Sequence, residues 1–235
     1  QSAIVNAAVA AHPGLNEIDQ RARRVVSVKP RRTAGIAVCY VGDPTVKAQL
    51  RAGYLAGVDA LARAASRAGD TDFWVDDDVA LTSALDRYAL IYVVGMGALP
   101  MSPEDMNGLY ACLQRGGTAL LEGCHRVGDG AAADAALLDA LGSLGVQPAE
   151  MQPGHPLLSE PWLFAALPAG YEADGPGRLL ARDGVIFSAC DYGSVWQGWR
   201  RGGPATREEI RAAHELGANM LAYALRRLQV AIRQP

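Results

Sequence analysis

The sequence predicts an α/β protein, a Rossmann-like three-layer sandwich around a mostly parallel sheet. Three observations lead there. Short apolar runs alternate with segments whose apolar residues recur at helical spacing, the pattern of a sheet layered between helices. The strand runs are continuous rather than alternating, as in Gly35-Ile-Ala-Val-Cys-Tyr-Val41 and Tyr88-Ala-Leu-Ile-Tyr-Val-Val94, which suits strands covered on both faces. Glycines, prolines and capping residues fall between the segments, where turns and helix ends need them.

In chain order, residues 1–33 read as an accessory arm: 2–11 suit a short helix, His12-Pro13-Gly14 breaks it, and Pro30 with its flanking charges marks a boundary. The main domain spans 34–235. Its first strand, 35–41, turns at Gly42-Asp43-Pro44 into a helix over 46–68, with Leu50, Tyr54, Val58, Leu61 and Ala65 as the apolar stripe and Gly69 as the stop. Residues 72–75 form a short second strand. Asp76, Asp77 and Asp78 behind it read as a solvated turn in preference to a cation site, which would need further spaced oxygen ligands. A short helix over 81–85 and a third strand over 88–94 follow. Ser102-Pro103-Glu104-Asp105 opens a helix to Gln114 with a capping hydroxyl, a first-turn proline and acids at the positive dipole end. A fourth strand covers 118–122. After an Ala/Leu-rich helix near 131–144 comes an irregular Pro/Gly-rich insertion over 148–178, then a hairpin (179–180 and 185–187) around Arg182-Asp183-Gly184. Residues 188–198 read as a polar and aromatic loop, and Thr206-Arg-Glu-Glu209 is a capping box opening the last helix.

Composition limits the function classes. With 235 residues, half of them hydrophobic, the chain can bury a core without metal or disulfide staples. A net charge of −3 and a pI of about 5.8 argue against a general nucleic-acid binder, which shows a basic domain. No apolar run reaches the roughly 18 residues of a membrane span. The N-terminal basic clusters, Arg21, Arg23 and Arg24 with Lys29, Arg31 and Arg32, read as a solvated arm or, more sharply, as a docking surface for an acidic partner. The stretch after Gln1 lacks the pattern of a signal peptide; since one removed earlier would leave no trace, cytoplasmic and exported locations both stay open.

The chemistry-bearing residues gather at predicted strand ends. The fourth strand delivers Cys124-His125 to the edge where open α/β sheets bind ligands. A thiolate needs a base, a cation or a helix N-terminus beside it, and His125, Arg126 and the next helix offer all three. Adjacent residues on an extended chain nevertheless point to opposite sides, so pocket lining is the plainer role for Cys124. His155, held between Gly154 and Pro156, and Asp191 complete the candidate catalytic set. Gly95, Gly97, Ser188, Tyr192 and Trp196 are the candidate ligand-pocket residues, while Trp199 is expected to pack the last helix. Cys39 and Cys112 suit the core, Cys/His zinc spacing is missing, and Gly95-Met-Gly97 lacks the rest of a dinucleotide fingerprint, so neither metal nor cofactor is expected.

Several stretches carry a family resemblance over residues 35–225: Asp86-Arg-Tyr-Ala-Leu-Ile-Tyr-Val, Leu99-Pro-Met-Ser-Pro-Glu-Asp, Leu113-Gln-Arg-Gly-Gly-Thr-Ala-Leu-Leu-Glu, Gly154-His-Pro-Leu-Leu, Asp191-Tyr-Gly-Ser-Val-Trp-Gln-Gly and Glu215-Leu-Gly-Ala-Asn-Met. In that order the chain resembles the domain of unknown function 4159 family, similar in turn to class I glutamine amidotransferase-like proteins. The resemblance implies a flavodoxin-like sheet with a pocket at its strand ends and no particular reaction. Amidotransferases set their nucleophile in a Gly-x-Cys-x-Gly elbow that supplies oxyanion donors; here the run is Glu122-Gly-Cys-His-Arg126. Their strand-end His-Pro-Glu corresponds to Phe187-Ser-Ala-Cys-Asp191, with Ser188 in the histidine's place. The expected function is therefore a non-catalytic domain for binding or assembly, with a protein partner or second copy on the arm or the C-terminal helix. The alternatives are a cysteine-dependent hydrolase or lyase on a small polar substrate, and a sensor closing Trp196 and His155 over a sugar-like ligand.

Overall fold

The computed structural model describes residues 31–82, 84–152, 154–172 and 177–233, so the expected arm up to residue 30 lies outside the described residues. A long first strand, β1 (Arg32–Tyr40), leads through the Asp43 cap into α1 (Pro44–Ala68). The Asp43 carboxylate accepts from the Thr45 and Val46 N–H groups, and Pro44 fits the first turn, so the helix begins two residues before its apolar stripe suggests. Next come β2 (Thr71–Asp76), β3 (Tyr88–Gly95), α2 (Pro103–Gln114) and β4 (Ala119–Gly123). They are followed by α3 (Gly130–Ser143), β5 (Ala149–Glu150), α4 (Pro156–Ser159), β6 (Leu179–Arg182) and β7 (Val185–Ser188). The chain closes with α5 (Tyr192–Trp196), a small ribbon of β8 (Trp199–Arg200) and β9 (Gly203–Pro204), and α6 (Arg207–Arg233).

Seven strands form one sheet in the order β2-β1-β3-β4-β7-β6-β5. The central pairs β1/β3, β3/β4 and β4/β7 are parallel; β7/β6 and β6/β5 are antiparallel. The order reverses between β1 and β3, and at such a switch point the carboxyl ends of the strands open a crevice.

Both faces of the central strands β1, β3, β4 and β7 are covered, which is why these strands are mostly apolar. Ile36, Val38 and Tyr40 of β1, Leu90, Tyr92 and Val94 of β3 and Leu120 of β4 pack with Leu50, Tyr54 and Val58 of α1 and Leu216, Met220 and Leu221 of α6. The alternate residues Ala37, Cys39, Ile91, Val93, Ala119 and Leu121 face Leu109 and Cys112 of α2 and Leu137 and Leu141 of α3. The period of two that divides each strand between the faces also decides what the strand ends present to the crevice.

Two expectations are corrected. Residues 81–82 form a turn and 84–85 have no regular structure, in place of the short helix: local propensity contributes little over so short a stretch, and burial of Leu81 and Leu85 in the core beside α2 decides its path. Within the expected loop 188–198, residues 192–196 wind into α5, held by side chains distant in sequence. The hairpin turn is as the sequence suggests, with φ of 50° at Asp183 and 89° at Gly184, the double positive φ of a two-residue hairpin. Thr206 and Glu209 exchange the two hydrogen bonds of a capping box. Two of the three aspartates at the end of β2 act as struts: Asp76 accepts from Tyr88 and Arg87, and Asp77 accepts from Tyr40 and pairs with Arg51. Among the described residues no helix is long and apolar enough to cross a membrane.

Candidate functional site

Alternation along β4 turns Glu122 and Cys124 toward α1, on the same face as Leu120. A carboxylate so placed is wholly buried and must be satisfied from within. Oε1 accepts from the Ser188 hydroxyl at 2.7 Å and the Tyr192 N–H at 2.7 Å; Oε2 accepts from the Tyr92 hydroxyl at 2.6 Å and the Gly193 N–H at 3.0 Å.

A second buried carboxylate caps α5. Asp191 sits in the left-handed region (φ 48°, ψ 53°). Its Oδ1 accepts from the Tyr54 hydroxyl at 2.7 Å and the Ser194 N–H at 3.2 Å. Its Oδ2 accepts from the backbone of His125 at 2.8 Å and Arg126 at 3.1 Å, and from the Ser194 hydroxyl. Asp191 thereby ties the loop after β4 to α1 and α5. Burial pushes both carboxyl groups above their usual range, for Glu122 with the Asp191 charge second, and the surrounding donors work against that rise.

Cys124 and His125 diverge. Cys124 is buried against the α1 side, and burial together with the Asp191 charge pushes its thiol up, although the Tyr54 hydroxyl and the Val127 and Arg126 N–H groups favour the thiolate. His125 turns to the opposite face, where its Nε2 lies 3.0 Å from Asp134 of α3, its Nδ1 3.6 Å from Glu172, and its ring against Gly130. Burial disfavours its charge, but the hydrogen bond and charge of Asp134, with Asp191 and Glu122 beyond, hold the imidazolium up to about 9.

The His125 proton is bound more tightly folded than unfolded. Its contribution to stability is therefore complete below the ordinary histidine value of about 6.5 and is lost as pH rises through about 9. After screening on the solvent side this is worth about 1–2 kcal/mol. Melting wild type and His125→Gln from pH 6 to pH 10 should show a stability gap that closes with rising pH; a gap independent of pH would refute the pairing.

The remaining candidates separate. Ser188 and Tyr192 belong to the Glu122 network, and the Tyr192 hydroxyl also reaches the Pro168 carbonyl. Trp196, not Trp199, packs the last helix: its indole N–H donates to the Ala213 carbonyl, while Trp199 stays 40% exposed beneath the Arg126 guanidinium. His155 caps α4 and faces Tyr223 of α6, away from the other candidates' contacts; its Nδ1 accepts from the Leu157 N–H, and burial lowers its pKa. Gly95 ends β3 opposite Gly123 and packs on Leu137, and Gly97 adopts a φ of 61° with open space around it.

Sequence reasoning passed over Glu122, Tyr54, Tyr92 and Asn219. The signal for Glu122 was there, an acid inside the apolar run Ala119-Leu-Leu-Glu122. Asn219 staples the insertion to α6, donating to the Leu157 and Trp162 carbonyls and accepting from the Trp162 N–H.

What stays open at the strand ends is a cavity of about 230 Å³, lined by Gly53 and Tyr54 of α1, Met96 after β3, Cys124 and Arg126 after β4, and Gln197 after α5. Arg126 donates to Gln197 Oε1 at 2.7 Å and lies 4.6 Å from the centre of the Trp199 ring.

A comparison with curated proteins finds no match. Among solved structures, an oxidoreductase from Corynebacterium diphtheriae is similar at 12% identity, covering 84% of this chain and 99% of that chain with a TM-score of 0.38, a likeness too loose to carry an argument. The family model for the Domain of unknown function (DUF4159) matches residues 47–225. Spanning most of the described domain, that match means that the chain belongs to the DUF4159 family.

Proposed function

We propose that this chain is an amidotransferase-like domain without a catalytic relay, which acts by binding, in protein assembly. One observation carries the reading: every group that could have formed a relay at the strand ends is already engaged elsewhere. Glu122 and Asp191 hold internal donors on all four oxygens, and Ser188 donates to Glu122. His125 is clamped by Asp134 on the face opposite Cys124, whose thiol burial pushes up. A nucleophile needs a base in hydrogen-bond reach, and both imidazoles near the insertion and β4 have other partners. The surface offered to a partner or a second copy is α6, 27 residues long with Val230 exposed toward its end.

Two measurements test this. Incubation with glutamine should release no ammonia above the rate of a Cys124→Ser control, and iodoacetamide should label Cys124 at least about tenfold more slowly than a free thiol at pH 7.5. Rapid labelling, or turnover lost in Cys124→Ser, would return the cysteine-hydrolase reading. Light scattering on size exclusion should show an oligomer, or affinity capture a stoichiometric partner lost on charge reversal along exposed α6. A monomer with no partner would refute the assembly role.

A further inference from the structure

The strand-end cavity has a chemistry of its own. Its polar lining includes one cation, Arg126, with Gln49, Tyr54, Cys124 and Gln197. Arg126 is oriented from two sides, by its hydrogen bond to Gln197 and by the Trp199 ring beneath it. Among the described residues no carboxylate pairs with the Arg126 guanidinium, whereas Arg51, Arg87, Arg115, Arg200, Arg201 and Arg226 each have one. Because Gln197 Oε1 accepts from Arg126, the NH₂ of the same amide is left to donate to a ligand. A guanidinium and an amide NH₂ together form a receptor for two oxygens of one anion.

The apolar part of the lining is Leu50, Ala52, Met96 and Val127. The nearest buried acid, Asp191, already accepts five hydrogen bonds, two of them from the backbone of His125 and Arg126 at the cavity's own rim. The volume of about 230 Å³ equals that of roughly seven or eight waters.

We infer that this cavity is a binding site for a small organic carboxylate of about six or seven heavy atoms, its carboxylate on Arg126 and Gln197 and its short apolar tail against Leu50 and Met96. The site goes beyond the proposed assembly role and does not depend on it.

The test uses the full chain with butyrate and 2-oxobutyrate as probes, butyramide as the uncharged control and inorganic phosphate as the anion without a tail. Titration followed by the fluorescence of Trp199, against a Trp199→Phe background correction, should give saturable binding of the two carboxylates. Affinity should fall at least about tenfold in Arg126→Gln. Gln197→Glu should abolish binding while keeping the fold, since the new carboxylate pairs with Arg126 and occupies its place, and an unchanged melting temperature confirms that the loss is local. The inference is overturned if neither carboxylate saturates, if butyramide binds equally, if phosphate binds and the carboxylates do not, or if Gln197→Glu binds as wild type does. One-dimensional NMR of the bound probe separates the two readings: consumption of 2-oxobutyrate would confirm the site and overturn the non-catalytic assignment, whereas absence of binding leaves that assignment standing.

Discussion

Glu122→Gln, the smallest change available at the buried acid, is expected to destabilise the protein by about 2–4 kcal/mol, a fall in Tm of roughly 5–15 °C for a chain of this size. The substitution keeps the shape and removes a charge whose burial is costly, so on size and desolvation alone it should be harmless. The hydrogen bonds decide otherwise. Each Glu122 oxygen accepts one backbone N–H, from Tyr192 on Oε1 and from Gly193 on Oε2. The Tyr92 and Ser188 hydroxyls can rotate to accept from an amide, but a backbone N–H cannot. Whichever way the glutamine is placed, its NH₂ confronts one of the two N–H groups at the start of α5 and leaves it buried without an acceptor. Thermal and urea denaturation of the variant measure the loss. A Tm equal to or above that of wild type would mean that Glu122 is neutral in the folded protein and that desolvation, not donor satisfaction, governs the site.

The same network explains what the sequence disclosed and what it withheld. Strands β1, β3 and β4 were legible because burial on both faces leaves a continuous apolar run, a one-dimensional record of a three-layer fold. The Ser102 and Thr206 caps were legible because their bonds close within three residues. The α5 turn was not, since it is set by Glu122, about seventy residues earlier, and by the Asp191 side chain, and local composition reads there only as a polar and aromatic loop. The Cys124-His125 pair was found, with its separation to opposite faces, because strand alternation needs no tertiary knowledge. Its partners were hidden: Tyr54 reads as one more apolar-stripe residue of α1, and nothing marks Asp134 within the Ala/Leu-rich helix. Arg126 reads only as a cation near Cys124; its pairing with Gln197 gives no signal, because it joins loops 71 residues apart.

Gly193→Ala should be strongly destabilising. α1 and α5 meet backbone to backbone here, so closely that a Cβ on Gly57 would stand 2.6 Å from the Gly193 carbonyl oxygen. A Cβ on Gly193 itself would overlap the Tyr54 ring and the Tyr92 hydroxyl. Neither ring can yield alone, because the Tyr54 hydroxyl is fixed on Asp191 and the Tyr92 hydroxyl on Glu122. Overpacking a core by one methyl costs about 1–3 kcal/mol, and displacing either tyrosine adds the cost of a buried carboxylate losing a donor, about 1–3 kcal/mol more. A total near 4 kcal/mol would remove a large share of the about 5–15 kcal/mol that holds an ordinary domain folded. Gly142→Ala is the matched control: it lies in α3 with no atom within 4 Å of the added Cβ, and removing a glycine from a helix should stabilise it by up to about 1 kcal/mol. Urea melts of the two variants beside wild type should therefore move in opposite directions. A Gly193→Ala midpoint within experimental scatter of wild type would show that the tyrosines are free to shift and that the two carboxylates do not hold them as tightly as their bonds imply.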